Sequence, residues 1–583
     1  MKKDKTNISR REFIKITGGT SVAMLCAPAF AGNFFKNEHA RFENDTVPVL
    51  KNCDVVVAGG GFAGVSAALH FAKTGKKVVL VERRIYLGRE VTSEYRPWFD
   101  IGENSSDLPE FVQACIEQEI DQPDNTKKLL RFDHVKRTLE DELFKHGVEI
   151  VYASNVVQVI GNEDKLQGIV IGNKSGRQAI LSKLVFDCTE TASVVRLTGQ
   201  KFSDKVHSNK YIRTLEFTNV EPLSTNSIDV PGTLQMIGSK VGVQKGYLGE
   251  GHYYVDCPME FNSPEFDAKS VTIREAEAWE KSNELAKYIY QNVPEFKNAY
   301  LTNSSYQLNG LYTPQMLDSN YEINRQSLNQ SLSIQNEKID LKSFATPYAN
   351  LFCLNEAALL SQKQTDLIKT PVGVSKIVSS LSEKIANNWS LLAFEKEVEV
   401  EKENEHQKSS GKVQIKEKYS PQKGKPYGRI RINNEIIPVI DDVDILVAGG
   451  GTSGAPAAYA AAKEGKKTIV IDMNPGFGGT GTYGGVDSYW GPGDYNGFTA
   501  SHIKKTTEIN KSFSKFFPSN GYGLWSVEAK MAMWLQEIRN SGAQILWNSF
   551  VIGTIMEENK VIGVVVSTPQ GVMAVKSKIV IDA

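Results

Sequence analysis

The chain has 583 residues, of which 41% are hydrophobic and 23% are charged, and its formal net charge is −1. This composition is typical of a globular protein with several domains. The near-zero net charge provides no broad field that would attract nucleic acid, and no apolar run reaches the about 20 residues needed to cross a bilayer. The six cysteines are scattered and include no C-x-x-C pair. They therefore favour small buried side chains over a disulfide framework or a metal site.

The first 31 residues have the order of an export signal. Arg10 and Arg11 precede Phe13, a moderately apolar stretch begins at Ile16, and residues 29–31 read Ala-Phe-Ala. A basic start, an apolar middle and a small-x-small end indicate a signal peptide. Because the arginine pair resembles a twin-arginine signal, we expect export to the periplasm by that route. An ordinary amphipathic helix is the alternative.

The chain contains a long internal repeat. Residues 47–61 align with 437–451 (449 − 59 = 390), and residues 182–187 align with 577–582 (577 − 182 = 395). Agreement over such a length predicts a duplicated domain rather than a short solenoid repeat. We call residues 46–200 together with 340–390 region one, the inserted residues 201–339 the cap, and residues 436–583 region two.

The two regions differ in length beyond the repeat. Region one continues far past Asp187, whereas the chain stops one residue after the matching Asp582. This difference predicts a truncated fragment, or a chain completed by a second polypeptide; a minimal second domain is the alternative. Between the regions, residues 391–435 are rich in charge and predict a solvated linker.

Region one begins with a strand, a glycine-rich turn, a helix and a second strand. The turn contains Gly59, Gly61 and Gly64 in the pattern G-x-G-x-x-G, between a predicted strand at 53–58 and a predicted helix at 65–73. In a dinucleotide-binding fold the first glycine permits the tight turn, the second lets the backbone approach a pyrophosphate, and the third allows close helix–strand packing. Glu82 ends the second strand, 21 residues after Gly61 (82 − 61 = 21), where a carboxylate accepts the ribose hydroxyls.

Region two repeats the pattern with Gly449, Gly451, Gly454 and Asp472. One such motif is weak, but two in the full strand–turn–helix–strand context indicate dinucleotide binding. Acidic residues at both ribose positions argue against the 2′-phosphate of NADP.

Glycines and hydroxyl side chains follow each acid, in the boxes Tyr-Leu-Gly-Arg-Glu-Val-Thr (86–92) and Gly-Gly-Thr-Gly-Thr-Tyr-Gly-Gly-Val (478–486). These boxes resemble the second box of flavoprotein oxidoreductases of the glutathione-reductase type. The chain is similar to an FAD-dependent oxidoreductase family whose bacterial members include proteins labelled xanthan lyases. The resemblance covers 46–200 and 436–583, and less clearly 340–390. It implies an α/β fold with a duplicated Rossmann-like FAD/NAD(P)-binding domain and an inserted α+β cap. It also implies FAD as the cofactor, with contacts from Arg89, Thr189, Gly479 and Thr480.

Region one departs from the family pattern. A later strand in the family ends in an Asp-Ala-Thr-Gly-like turn, whereas Glu190 replaces the glycine here, and residues 354–356 match the family's last flavin-contacting segment only loosely. Region two has the better glycine-rich box but lacks its closing segments. By sequence, both regions stay open as the FAD site.

These patterns predict an FAD-dependent oxidoreductase that acts on a small organic molecule, with a sugar or glycoside suggested by the resemblance alone. An FAD/NAD-linked reductase and a non-catalytic binding or assembly protein of polysaccharide utilisation, with degenerate flavin sites, are the alternatives. A flavin enzyme needs an acid or base near the ring, but the sequence singles out none. The candidates are His207, His252, Tyr253, Tyr254, Tyr483, Tyr489 and Trp490.

Overall fold

The computed structural model describes residues 41–42, 46–100, 108–116, 127–162, 164–202, 209–261, 267–310, 328, 330–334, 337–358, 360–395, 398, 400, 413–418, 420–422, 425–432, 437–489, 495–514 and 524–583. The predicted signal peptide, His207 and Trp490 lie outside the described residues. Within them the chain forms an α/β structure with two large mixed sheets, one in each region, and a smaller antiparallel sheet in the cap.

The sheet of region one is built around the predicted first strand, which is longer than expected and runs over Thr46–Ala58. This strand pairs in parallel with Val78–Val81 on one side and with Gly176–Asp187 on the other. Its β-branched residues are buried on both faces, as is typical of a central parallel strand. The sheet also contains Glu149–Val151, Leu166–Asn173, Asn155–Gly161, Leu351–Cys353 and Arg429–Arg431.

The sheet of region two has the same central order, with Val439–Ala448 between Thr468–Ile471 and Gly571–Asp582. The register matches residue for residue: Val56 pairs with Val185, and the equivalent Leu446 pairs with Val580. The outer strands are Gln544–Leu546, Lys560–Thr568, Phe550–Glu557, Val413–Glu417 and Arg41–Phe42.

Helices cover the two large sheets. Those of region one are Phe62–Lys73, Arg89–Thr92, Glu110–Ala114, Phe132–Lys145, Ser193–Leu197, Gln362–Ile368, Pro371–Asn387 and Trp389–Leu392. Those of region two are Gly454–Lys463, Gly497–Phe513 and Val527–Ser541. Two small hairpins complete the outside, formed by Trp98–Asp100 with Lys127–Leu129 and by Ser331–Ile334 with Glu337–Asp340. Single 3-10 turns occur at Gly232–Leu234, Pro294–Phe296, Leu341–Phe344 and Gly479–Gly481.

The cap lies against both regions. Its sheet contains Ser227–Asp229, Lys240–Lys245, Tyr253–Glu260, Lys210–Thr218, Tyr300–Ser304 and Asn309–Gly310. Its long helix runs over Ala268–Asn292 and begins where the Asp267 side chain accepts hydrogen bonds from two backbone amides. Trp279 of this helix packs in one core with Val447 of region two, whereas Tyr254 of the cap sheet packs in the core of region one.

The predicted charged linker includes two strands that the sequence pattern did not predict. Val413–Glu417 pairs with Phe550–Glu557 in region two, and Arg429–Arg431 pairs with the start of the first strand of region one. The ion pair of Arg177 with Glu417 is almost fully buried and joins this tract to region one. The cysteines among the described residues are free and buried. None of the described helices is both long and apolar enough to pass through a bilayer.

Candidate functional site

The glycine-rich turns of the two regions have the same backbone. Gly59 has φ +100° and Gly449 has φ +102°, a left-handed conformation that side chains other than glycine rarely adopt. A Cβ at Gly64 would lie 1.8 Å from the Gly59 carbonyl oxygen, and one at Gly454 would lie 1.8 Å from the Gly449 oxygen. Both turns therefore require glycine for close packing, and each delivers the N-terminus of a helix to the edge of its sheet.

In region one a carboxylate of the chain itself lies against the helix N-terminus. The Phe62 amide donates a hydrogen bond of 3.2 Å to Glu90 Oε2. A Cβ at Gly61 would lie 2.4 Å from Glu90 Oε1, so the carboxylate lies directly over the second glycine of the motif. Because free amides and the helix dipole attract anions at this place, Glu90 occupies the position that a phosphate would take.

The buried Arg89 holds Glu90 from the other side. Its guanidinium donates to Glu90 at 3.2 Å and to Glu94 at 3.4 Å. Burial raises the pKa of Glu94 to about 8, although Arg89 acts to lower it. Arg89 thus contacts two carboxylates of the chain, and its contact with a cofactor stays a prediction.

Side chains of the protein also surround Glu82, the residue predicted to accept the ribose hydroxyls. Glu82 is 2% exposed and accepts hydrogen bonds from the Gly60 amide at 2.6 Å and from Arg84 Nη1 at 2.7 Å. Glu190 accepts from Arg83 Nε at 2.8 Å and from Arg84 Nη2 at 2.7 Å. Burial acts to raise the pKa of Glu190, but these arginines outweigh it and hold that pKa well below its usual range.

Region two also contributes residues near Glu82. Arg83 Nη1 donates to Asn548 Oδ1 at 2.7 Å, and Pro569 forms part of the wall. The cavity that remains has a volume of about 30 Å³, room for about two waters. Its other lining residues include Gly59, Glu82, Ser154, Thr189, Glu190 and Ser193.

Thr189 is engaged within its own turn. Its hydroxyl donates to Asp187 Oδ1 at 2.6 Å and accepts from the Ser193 amide at 2.8 Å. Burial raises the pKa of Asp187 to about 6, against the lowering effect of the Thr189 hydrogen bonds. These bonds stabilise the end of the strand Gly176–Asp187.

In region two the corresponding turn is open. The nearest heavy atom to a Cβ at Gly451 would be the Cα of Gly479, 4.0 Å away. Gly479 has φ +54°, and a Cβ there would lie 2.9 Å from the Gly451 Cα. Gly479 therefore keeps the box close to the turn without filling it, and Thr480, the next residue, is exposed.

Asp472 of region two keeps accepting capacity. It accepts from the Gly450 amide at 2.6 Å and from the Asn474 amide at 2.8 Å. Burial raises its pKa, although these amides act to lower it. Among the described residues no arginine or lysine forms a salt bridge with Asp472, in contrast to Glu82 and its partner Arg84.

Most of the candidate acid and base residues in the cap are already hydrogen bonded. His252 is buried, with its Nε2 2.8 Å from Glu216 Oε1, and its Nδ1 accepts from a backbone amide. The Tyr254 hydroxyl donates to the same carboxylate at 3.1 Å, and the Tyr253 hydroxyl accepts from the Leu223 amide. These three residues stabilise the cap sheet rather than present free groups.

Tyr483 of the glycine-rich box and Tyr489, which follows the box, differ from them. The Tyr483 hydroxyl is buried without a hydrogen-bond partner among the described residues, and its ring lies 5.5 Å from that of Tyr306. Burial raises the pKa of Tyr483 well above its ordinary value, so the phenol stays protonated. Tyr489 lies beside Trp525 and Lys530.

The turn of region two leaves room for a ligand beside its second glycine, whereas the turn of region one has a carboxylate there. The second glycine of region two faces free space, whereas its counterpart Gly61 faces the carboxylate of Glu90. Sequence reasoning missed Glu90 and Lys530. Both are visible in the alignment of the repeat, where Glu90 corresponds to Thr480 and Lys530 corresponds to Val135.

Comparison with known proteins shows that the chain matches a protein family. A family model described as FAD dependent oxidoreductase matches residues 54–313 and 444–583. The curated thiamine thiazole synthase of Methanococcus vannielii is 32% identical over 127 residues, which cover 22% of this chain and 47% of that protein. The enzyme of the same name from Methanococcus maripaludis is 31% identical over 133 residues, with 22% and 47% covered. The chain spans about half the length of the curated relatives it matches.

Solved structures show more distant similarity. A geranylgeranyl bacteriochlorophyll reductase-like protein from Thermoplasma acidophilum is 18% identical with a TM-score of 0.37, over 58% of this chain and 80% of that chain. The p-nitrophenol 4-monooxygenase PnpA from Pseudomonas putida is 17% identical with a TM-score of 0.35, over 58% and 82%.

Proposed function

The chain belongs to the family of FAD-dependent oxidoreductases, and we propose that region two holds the FAD and that a small organic molecule is oxidised or reduced beside it. The observation that supports this assignment is the difference at the second glycine of the motif. Gly451 has no atom closer than 4.0 Å to a Cβ position, whereas Gly61 is covered by Glu90.

The residues of region two have distinct roles in this proposal. The helix Gly454–Lys463 directs its free amides and positive dipole end to the diphosphate. Asp472 accepts hydrogen bonds from the ribose hydroxyls. Gly479 and Thr480 of the glycine-rich box lie next to the diphosphate. FAD supplies the redox chemistry when bound, and the protein supplies binding, orientation and exclusion of water.

The substrate class in this proposal is a sugar or glycoside. The family resemblance alone supports this class. The buried protonated phenol of Tyr483 offers a hydrogen-bond donor without a protein partner among the described residues. A protonated phenol serves as a donor to a substrate or cofactor oxygen and not as a base. Family membership disfavours the alternative of a non-catalytic binding protein.

Export is part of the proposal. The support is the order of residues 1–31, with Arg10 and Arg11 before an apolar stretch and Ala31 at its end. N-terminal sequencing of the protein recovered from the periplasm should begin at Gly32. Full-length chain confined to the cytoplasm contradicts export.

The visible spectrum of the purified protein tests the cofactor and its place. We expect flavin bands near ~370 and ~450 nm, which are properties of the cofactor. Gly451→Val should remove them, because the new side chain fills the open space, and Gly61→Val should leave them. Circular dichroism melts of both variants control for folding. A colourless protein that takes up no added FAD contradicts the function, whereas loss of flavin in Gly61→Val alone moves the cofactor to region one.

Anaerobic reduction tests the substrate class. A panel of monosaccharides and glycosides is added to the flavin-loaded protein, and the loss of the ~450 nm band is followed. Bleaching by a sugar supports the proposal. Bleaching by NADH and by no sugar contradicts it and supports the FAD/NAD-linked reductase instead.

A further inference from the structure

Lys530 is a buried cation held between two aromatic rings. Its Nζ lies 3.2 Å from the centre of the Trp525 ring and 4.8 Å from that of Tyr489, and the residue is only 8% exposed. Aromatic faces attract a cation, but they replace only part of the hydration that an ammonium loses on burial. The charge of Lys530 is therefore incompletely compensated.

The ammonium lies against the glycine-rich box of region two. A Cβ placed on Gly481 would be 2.8 Å from Lys530 Nζ, and the Trp525 indole donates a hydrogen bond of 2.9 Å to the Gly481 carbonyl oxygen. Trp525 thus anchors the backbone of the box while its ring supports the lysine. A side chain at Gly481 would displace Nζ from its present place against the box.

The position of this lysine is not explained by a counter-ion. Among the described residues no carboxylate forms a salt bridge with Lys530, and burial lowers its pKa to about 8. Among the described residues Tyr489 is a titratable side chain in contact with it, and burial raises the pKa of Tyr489. Glu528 of the same helix is turned to the cap, where it accepts a hydrogen bond from Ser304. A buried unpaired charge is costly, so an anionic or strongly accepting ligand is the natural partner.

The equivalent position of region one carries no cation. The helices Phe132–Lys145 and Val527–Ser541 begin at equivalent positions (527 − 132 = 395). At the same offset Val135, which is fully buried in the core of region one, takes the place of Lys530. The cation therefore accompanies the open turn of region two, and an apolar side chain replaces it where the turn is covered.

We propose that Lys530 is a cofactor-positioning residue whose ammonium donates a hydrogen bond to an oxygen of FAD beside Gly481. This inference rests on the proposed FAD site in region two. The acceptor belongs either to the diphosphate or to the flavin with its ribityl chain, and both offer the same oxygen chemistry to an ammonium.

Binding of FAD to the flavin-free full chain tests the proposal. Flavin is removed, FAD is titrated back by quenching of its fluorescence, and Lys530→Met is compared with Lys530→Arg. A charge-assisted hydrogen bond corresponds to a loss of about tenfold to a hundredfold in affinity for Lys530→Met, whereas Lys530→Arg should retain most of it. Lys505→Met is the control, because Lys505 pairs with Glu537 away from the box.

The pH dependence supplies a second readout. The wild-type affinity should fall between pH 7 and 9, because the ammonium that binds the ligand deprotonates with its pKa of about 8 in the free protein. The affinity of Lys530→Met should not change over this range. Equal affinity and equal pH dependence in wild type and Lys530→Met overturn the inference.

The two possible acceptors are separated with ADP, which has the diphosphate and no flavin. If Lys530→Met weakens ADP as much as FAD, the contact is to the diphosphate; if it weakens FAD alone, the contact is to the flavin or ribityl part. A wild-type protein that binds no flavin contradicts the proposed function. Flavin lost in Gly451→Val but unaffected in Lys530→Met contradicts only the role of the lysine.

Discussion

Regions one and two share their backbone and differ in how their side chains use it. Their central strands have the same register, with a bulge at Val49–Lys51 in one and at Val439–Asp441 in the other. Glycines with positive φ occur at equivalent positions of the two regions. One such pair is Gly147 and Gly542, which follow the equivalent helices. Yet in region one Glu90 accepts a hydrogen bond from the Phe62 amide, whereas in region two no side chain among the described residues lies within 4 Å of a Cβ position at Gly451. One backbone is therefore covered by a carboxylate in region one and is left open in region two, with Glu90 and Thr480 at the equivalent position.

The difference is electrostatic. The helix N-terminus of region one meets Glu90, and the Glu190 carboxylate takes up the charge of Arg83 and Arg84. Region two has Thr480 at the position of Glu90, and Lys530, which forms no salt bridge with any described residue, lies beside Gly481. Region one therefore has a carboxylate at its helix N-terminus, and region two has a lysine beside its glycine-rich box.

The largest effect is expected when region one loses the Glu190 carboxylate. Glu190→Ala removes the carboxylate that Arg83 and Arg84 share in a largely buried place. We expect the free energy of unfolding to fall by about 3–5 kcal/mol. Urea denaturation of wild type and variant measures it. As a control, Lys73→Ala removes the exposed contact with Glu110 and should change little. Equal stability of Glu190→Ala and wild type would show that the arginines find water instead.

An exchange between the regions sharpens the comparison further. Glu90→Thr places in region one the residue of region two and frees the Phe62 amide, so inorganic pyrophosphate should bind there about tenfold more tightly. The experiment uses the Gly451→Val background, in which the site of region two is blocked, and follows the melting temperature against pyrophosphate concentration. Absence of any added stabilisation relative to the Gly451→Val parent contradicts the assignment of Glu90 as the bound anion.

The reciprocal change belongs to the same exchange. Thr480→Glu adds a carboxylate beside the open turn of region two and should reduce the flavin content of the purified protein by repulsion of the diphosphate. Full flavin content in Thr480→Glu would show that this position does not face the phosphates.

The smallest effect is expected where the regions are alike and exposed. Asp54 pairs with Lys183 in region one at 3.0 Å, and Asp444 pairs with Lys578 in region two at 2.6 Å. Because water screens such pairs, Lys183→Ala and Lys578→Ala should leave the melting temperature and flavin content unchanged. A marked loss in one variant only would show that the regions also differ at their outer edge.

Local patterns were sufficient for the elements of both regions. Apolar β-branched runs and glycine punctuation predicted the strands that end at Ala58 and Val81. The family resemblance also implied the FAD cofactor that the family match supports. Such features depend on neighbours in sequence, so periodicity and turn chemistry reveal them.

Periodicity and turn chemistry did not reveal the side-chain contacts that cover the glycine-rich turn of region one. The box at 86–92 was interpreted as a cofactor contact, but Glu90 lies on the Phe62 amide, 28 residues away in the chain. Asn548 reaches Arg83 from 465 residues away, and the strand Arg429–Arg431 lay in a tract predicted to be solvated. No local pattern reports contacts over such separations.

The sequence by itself determined that the chain carries two dinucleotide-type turns, each with an acid at the end of the second strand, because these features are encoded within about 30 consecutive residues. Only the tertiary structure decided which turn is open. Whether a carboxylate lies on a helix N-terminus, or an ammonium lies beside a glycine-rich box without a partner, depends on distances between elements that are far apart in the chain. In this molecule Glu90 covers Gly61. The equivalent Gly451 has no covering side chain, and Lys530 lies beside Gly481 of the adjoining box.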